Sequence, residues 1–283
     1  MNIAIVTDST CDLSPGAEIA YQIDIVPLTV TFGEKSYRDG LDMTSDEFFT
    51  RLSKTSVLPV TSQPSPAVFQ ALFRRRLDEG KDIVGIFLSA MLSGAFQSAI
   101  MARSSFPSEE QSRIHLTDSR HATGNLALLV LEACSMRDRG AGVNEILAQL
   151  DSLIPRVKLY AILDTLKYLR MGGRLSSVVS TAGSILNIVP VVTIVNGSAA
   201  VAAKIHKSGN AFRKWLRERL LSDLPDPRFP AIFLHGNNPV LTAPLQEEFK
   251  YLLPREVLHL SIGAVIGTHA GPNVYGLSYL SKK

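Results

Sequence analysis

Short apolar runs alternate with helix patterns whose ends carry capping residues, and this alternation leaves few architectures open. "NIAIVTD" is such a run, and Ser14-Pro15 then reads as a cap with proline at the first helical position. "IDIVPLTVTF" reads as a second strand, and Thr44 to Glu47 makes a capping box. Ser65-Pro66 opens a helix that Gly80 closes. The strand "DIVGIFLS", a helix after Ser93, the strand "RIHLTDS" and the long helix "GNLALLVLEACSMRDR", closed by Gly140, follow. Strand–helix alternation of this kind predicts an α/β domain built on a largely parallel sheet.

A domain boundary is expected near Pro155-Arg156, giving units at 1–155 and 156–283. The second unit begins with the strand "KLYAILD", a turn at "LRMGGRLS" and a helix at "SVVSTAGSILN". The hairpin "VVTIVNGSAAVAAKI" has Asn196-Gly197 as its turn. Helix "NAFRKWLRERLL", strand "AIFLHG", helix "VLTAPLQEEFKYLL" and two last strands complete a second α/β unit. The fold class is therefore α/β, in two domains.

Composition excludes several classes of function. A net charge of +3, with basic residues scattered except in "FRKWLRERL", argues against nucleic acid. Two cysteines, Cys11 and Cys134, make neither a disulfide framework nor a zinc motif. No charged residue falls between Arg174 and Lys204, but Asn187, Pro190, Asn196 and Gly197 break that stretch too often for a transmembrane helix. The N-terminus lacks the basic segment of a secretory signal. A soluble, cytoplasmic protein is expected, touching a membrane transiently at most.

In open α/β sheets, ligands bind outside the carboxyl ends of the strands. Four hydroxyl-rich stretches are expected there: Asp8-Ser9-Thr10, Thr61-Ser62-Gln63, Ser89 with Ser93-Gly94, and Asp118-Ser119. A helix N-terminus has unpaired N–H groups and a positive dipole end, so the sequence around Ser93 suits an anion. Each hydroxyl equally suits capping of its own helix. Of the six histidines, none shows metal-ligand spacing. His269 stands out because Gly267, Gly271 and Pro272 suggest a tight loop around it. Gly172-Gly173 before Arg174 permit positive φ, and the guanidinium can present a fork to a carboxylate or phosphate.

No nucleotide phosphate loop and no G-x-G-x-x-G is present, and Ser93 lies in L-S-G-A rather than G-x-S-x-G. A serine hydrolase or acyl transferase is the competing reading. It would use Ser93 as nucleophile, His269 as base, and Asp8 or Asp118 to orient the histidine.

Together, Thr61-Ser62-Gln63-Pro64-Ser65, the S-x-x-L-S-G stretch at 89–94, Gly172-Gly173-Arg174 and G-T-H-A-G-P at 267–272 resemble the DegV family of fatty-acid-binding proteins. That family includes the acyl-carrying B subunits of bacterial fatty acid kinase. The resemblance runs the whole chain. It implies two α/β domains with a long-chain fatty acid such as palmitate buried between them. The carboxylate would be held by Thr61 and Ser93, with Ser62, Gly94, His269 and Arg174 around it. The protein would be a carrier without catalysis or cofactor of its own, presenting the acid to a kinase catalytic subunit. Four positions depart from the usual pattern. Ala90 and Ala95 stand where a Ser and a Thr are common, Asn273 replaces a Gly, and His206 replaces an Arg associated with the acyl phosphate.

Overall fold

In the computed structural model, which describes residues 2–55, 57–175, 187–208 and 210–283, the alternating runs become three sheets. Four parallel strands, in the order β2-β1-β6-β7, form the first. They are β1 (Ile3–Asp8), β2 (Ile23–Val26), β6 (Asp82–Phe87) and β7 (Ile114–Asp118). The antiparallel set β3 (Thr29–Phe32), β4 (Lys35–Arg38) and β5 (Val60–Ser62) forms a small second sheet. The third sheet has six strands in the order β10-β9-β8-β13-β11-β12. These are β8 (Val157–Ile162), β9 (Ile188–Val195), β10 (Ser198–His206), β11 (Ala231–His235), β12 (Val257–Ser261) and β13 (Tyr275–Leu280). In that sheet β11 and β12 run parallel, while the other pairs are antiparallel.

Helices fill the connections: α1 (Ala17–Ala20), α2 (Ser45–Leu52), α3 (Pro66–Asp78), α4 (Ala95–Ser104) and α5 (Ser108–Gln111). They continue with α6 (Thr123–Asp138), α7 (Val143–Leu153), α8 (Lys167–Met171), α9 (Ala211–Ser222), α10 (Ala243–Phe249) and α11 (Ala264–Ala270). The capping box on α2 is complete, with the Thr44 side chain and Glu47 each bonded to the other's backbone N–H. Pro66 begins α3, as its missing N–H allows.

Four expectations change. The run "IDIVPLTVTF" is two strands, not one, because Pro27 has no N–H for a ladder. Its halves join different sheets. Helix α1 begins at Ala17 rather than at Pro15, behind Gly16 at φ +89°. The helix expected from Val240 starts as a 3-10 turn at Pro239–Leu241 and becomes α-helical at Ala243. Between the last two strands lies the unexpected helix α11, whose Gly267 lets it close on Phe48. A Cβ there would lie 2.6 Å from the Phe48 ring. The helix expected at "SVVSTAGSILN" falls almost wholly outside the described residues.

Helix α6 explains how the two larger sheets share a core. Leu126 to Val130 are all buried, as a helix apolar on every side must be. They belong to one hydrophobic cluster with Ile5 and Val84 of the first sheet and Leu159 and Ile232 of the third. The start of α6 therefore sits where the two sheets meet.

Candidate functional site

At that meeting place is a cavity that is partly open to solvent. Its wall is mostly aliphatic: Leu28, Leu88, Leu159, Leu163, Val192, Ile194, Leu234 and Val265 all contribute. The uncharged stretch before Lys204 supplies Val192, Ile194 and Ala199 to it. Helix α6 contributes Thr123, and Ala122 just before it, while the leucines of α6 serve the core.

Polar side chains cluster at one place. Thr61, Ser62, Gln63, Ser93, Arg174 and His269 all line the cavity. Gly94 does not; it stands behind them as the N-cap of α4. Its missing side chain matters because a Cβ would come within 2.9 Å of Gln63 Nε2. Five of the six residues expected at the head of a ligand are thus brought together from four parts of the chain. Gln63 belongs with them.

Thr61 Oγ1 and His269 Nε2 are 3.0 Å apart. His269 Nδ1 is buried and has no hydrogen-bond partner among the described residues. Burial, then the charge of Arg174, lowers the imidazole to about 4, so the ring is neutral at physiological pH. His269 is not in a tight loop as expected from its glycines. It occupies the last turn of α11, which Gly271 ends at φ +80°. Gly172 serves a close approach, not a turn: its φ is −75°, and a Cβ there would overlap the His269 ring at Nδ1. Gly173 alone takes the positive φ, +69°.

Arg174 is fixed by carbonyl oxygens, donating from Nε to Leu92 at 3.1 Å and from Nη1 to Gly172. Its planar fork is thereby held at the head of the cavity. Ser93 Oγ accepts a long bond from the Ala95 N–H at 3.3 Å, which leaves its proton free to donate.

Only two of the four hydroxyl-rich stretches reach the cavity wall. Asp8 instead binds Thr10 and the Leu88 N–H, and Asp118 binds the N–H groups of Ala90 and Arg120. These carboxylates brace the strand ends. The hydrolase reading therefore loses its triad, since neither Asp8 nor Asp118 reaches His269 Nδ1. His206 ends β10 as an exposed residue. Asn273 adopts φ +57°, which explains how it replaces a glycine, since Asn tolerates the left-handed region best after Gly.

Fold and site together define a class: α/β proteins whose sheets enclose an apolar cavity headed by hydroxyl, imidazole and guanidinium groups. The profile of the DegV family, described as "Uncharacterised protein, DegV family", matches residues 2–282. The chain belongs to the DegV family. A DegV domain-containing protein of Caldanaerobacter subterraneus subsp. tengcongensis is 34% identical, covering 99% of each chain. Among solved structures, a fatty-acid-binding DegV family protein of Thermus thermophilus has a TM-score of 0.89 and 30% identity, covering 99% of this chain and 100% of the other. DegV of Bacillus subtilis, a fatty acid binding protein, has a TM-score of 0.85 and 31% identity over the whole of both chains. No helix among the described residues is long and apolar enough to cross a membrane.

Proposed function

We propose that this protein is a non-catalytic carrier that buries a long-chain fatty acid in the cavity between units 1–155 and 156–283. The observation that carries this reading is the division of the cavity wall, with Thr61, Ser62, Ser93, Arg174 and His269 at one place and aliphatic side chains around the rest. Such a wall suits a molecule with one anionic end and a long apolar remainder. The relatives described as fatty-acid-binding proteins support it.

In this reading the carboxylate accepts from Thr61 and Ser93 near the start of α4, and Arg174 and His269 complete the ring. Magnitudes separate the two ends. Each buried CH₂ contributes about 0.8 kcal/mol, so a long chain gives on the order of 10 kcal/mol gross. A hydrogen bond to a charged group adds about 1.5–3 kcal/mol. The tail supplies affinity, and the head supplies orientation. The test is the double variant Thr61→Val, Ser93→Ala, measured by calorimetry with palmitate. It should fold normally and bind more weakly by a few kcal/mol at most, on the order of a hundredfold. Unchanged affinity would mean that the carboxylate sits elsewhere.

The same reading gives the carrier a partner, a fatty acid kinase catalytic subunit that forms an acyl phosphate on the presented carboxylate. An acyl phosphate has more charge and more acceptor oxygens than a carboxylate, and a carbonyl-fixed guanidinium suits it. Arg174→Ala is therefore expected to spare palmitate binding more than it spares acyl phosphate formation with a kinase subunit. Equal losses in the two assays would reduce Arg174 to a wall residue.

A further inference from the structure

Helix α11 forms one side of the cavity, with Val265, Ile266 and Ala270 on the wall and His269 in its last turn. Seven residues make a helix too short to hold its shape alone, and its N-cap, Gly263, has no side chain to bond the N–H groups at its start. Carboxyls from the other end of the chain bond them instead. Asp12 Oδ1 accepts from the Gly263 N–H at 2.9 Å, and Asp39 Oδ1 from the Ala264 N–H at 2.8 Å. A Cβ on Gly263 would lie 2.9 Å from the first oxygen and 3.0 Å from the second, so both carboxyls crowd one point. The Ser45 hydroxyl adds a bond to the Ile262 carbonyl at 2.7 Å. Neither carboxyl lines the cavity; each reaches it through α11.

This pair is costly to ionise where it stands. Asp39 accepts from the Ser9 hydroxyl and from the N–H groups of Ala264 and Val265, which favours the ionised form. Burial outweighs those bonds and raises it from 3.8 to about 6. Burial, with the charge of Asp39 added to it, holds Asp12 well above the usual carboxylate range, against a bond from Thr123. The other titratable groups facing the pair are Asp8 and Cys11 beside it, and Glu18, Asp46 and His235 on the outer cleft that it lines. No lysine or arginine among the described residues lines that cleft. Moving the start of α11 away gives the carboxyls water, where Asp39 returns towards 3.8. The closed arrangement therefore binds the proton more tightly. Closure is favoured below about pH 6 and weakens as pH rises through that value.

We propose that Asp12 and Asp39 are positioning residues that form a proton-operated clamp on α11, closed while the pair keeps its proton and released as that proton passes to water. Release lets α11, with Val265 and His269, draw back from the cavity. Its consequence for ligand exchange rests on the fatty-acid reading above.

Two measurements at pH 5 and pH 7 test the clamp: hydrogen exchange of the Gly263, Ala264 and Val265 amides, corrected for the intrinsic effect of pH, and palmitate release in stopped flow. A shift from 3.8 to about 6 predicts protection about tenfold lower at pH 7 than at pH 5 in wild type, with release faster by a similar factor. In Asp39→Asn, whose side chain does not ionise, the tenfold change should vanish from both, with thermal unfolding confirming the fold. If that variant does not fold, exchange in wild type decides alone. Protection that stays constant in wild type, or changes equally in the variant, overturns the clamp. Protection that changes as expected while release does not overturns its role in ligand exchange. A chain that binds no palmitate overturns the carrier reading, and the amides still decide the clamp.

Discussion

His269 has its Nδ1 buried and unpartnered among the described residues while Nε2 faces Thr61, and burial with Arg174 nearby keeps the ring neutral down to about pH 4. Between its unfolded value of 6.5 and that folded value, the unfolded chain takes up a proton that the folded chain refuses. His269 therefore makes stability fall as pH falls through this window. Asp39 acts oppositely: burial raises it to about 6 from 3.8, so the folded chain takes its proton first and gains stability as pH falls. The contribution of His269 is isolated by comparing wild type with His269→Gln. The variant should lose less thermal stability than wild type between neutral pH and about pH 5, and an identical loss would place the ring in contact with water. At this scale the sequence carried Thr61, Ser93, Arg174 and His269 openly, because hydroxyls and charges near glycine turns are conspicuous. It hid Thr123, which stands just before the run read as a helix and yet lines the cavity. It also hid the reason for Gly172, a close approach that only the packed fold creates.

The β9–β10 hairpin is the element that joins one wall of the cavity to the head loop. At its tip the Gly197 carbonyl accepts from the Ser89 hydroxyl at 2.7 Å, and Ser89 Oγ accepts in turn from the Met91 N–H at 3.2 Å. Gly197 needs its φ of +83°, and a Cβ there would lie 2.7 Å from Ser89 Oγ. Ile194 and Ala199, on either side of the tip, line the cavity. Ser89→Ala should lower stability by about 1 kcal/mol in denaturant unfolding and speed palmitate release in stopped-flow displacement. Unchanged release would make the contact purely structural. Asn196-Gly197, the capping box at Thr44 and the Ser65-Pro66 helix start were all legible, since each is a local signature. Helix α11 was not, because glycines and Pro272 read as a loop, while the helix depends on packing against Phe48 and Phe49.

For the whole molecule, the alternation of apolar runs and capped helices was enough to indicate α/β architecture. The order of strands was not, because β13 pairs between β8 and β11, far from it in sequence. The cavity is a product of that pairing, with α6 wedged where the first and third sheets meet. Its wall is mostly aliphatic, and its hydroxyl, imidazole and guanidinium groups are gathered at one place. Native mass spectrometry of the purified protein, before and after incubation with palmitate, addresses this most directly. The account predicts a complex heavier than the chain by the mass of one fatty acid, already present or formed on incubation. A mass that stays at that of the bare chain after incubation with palmitate and other long-chain acids would contradict it.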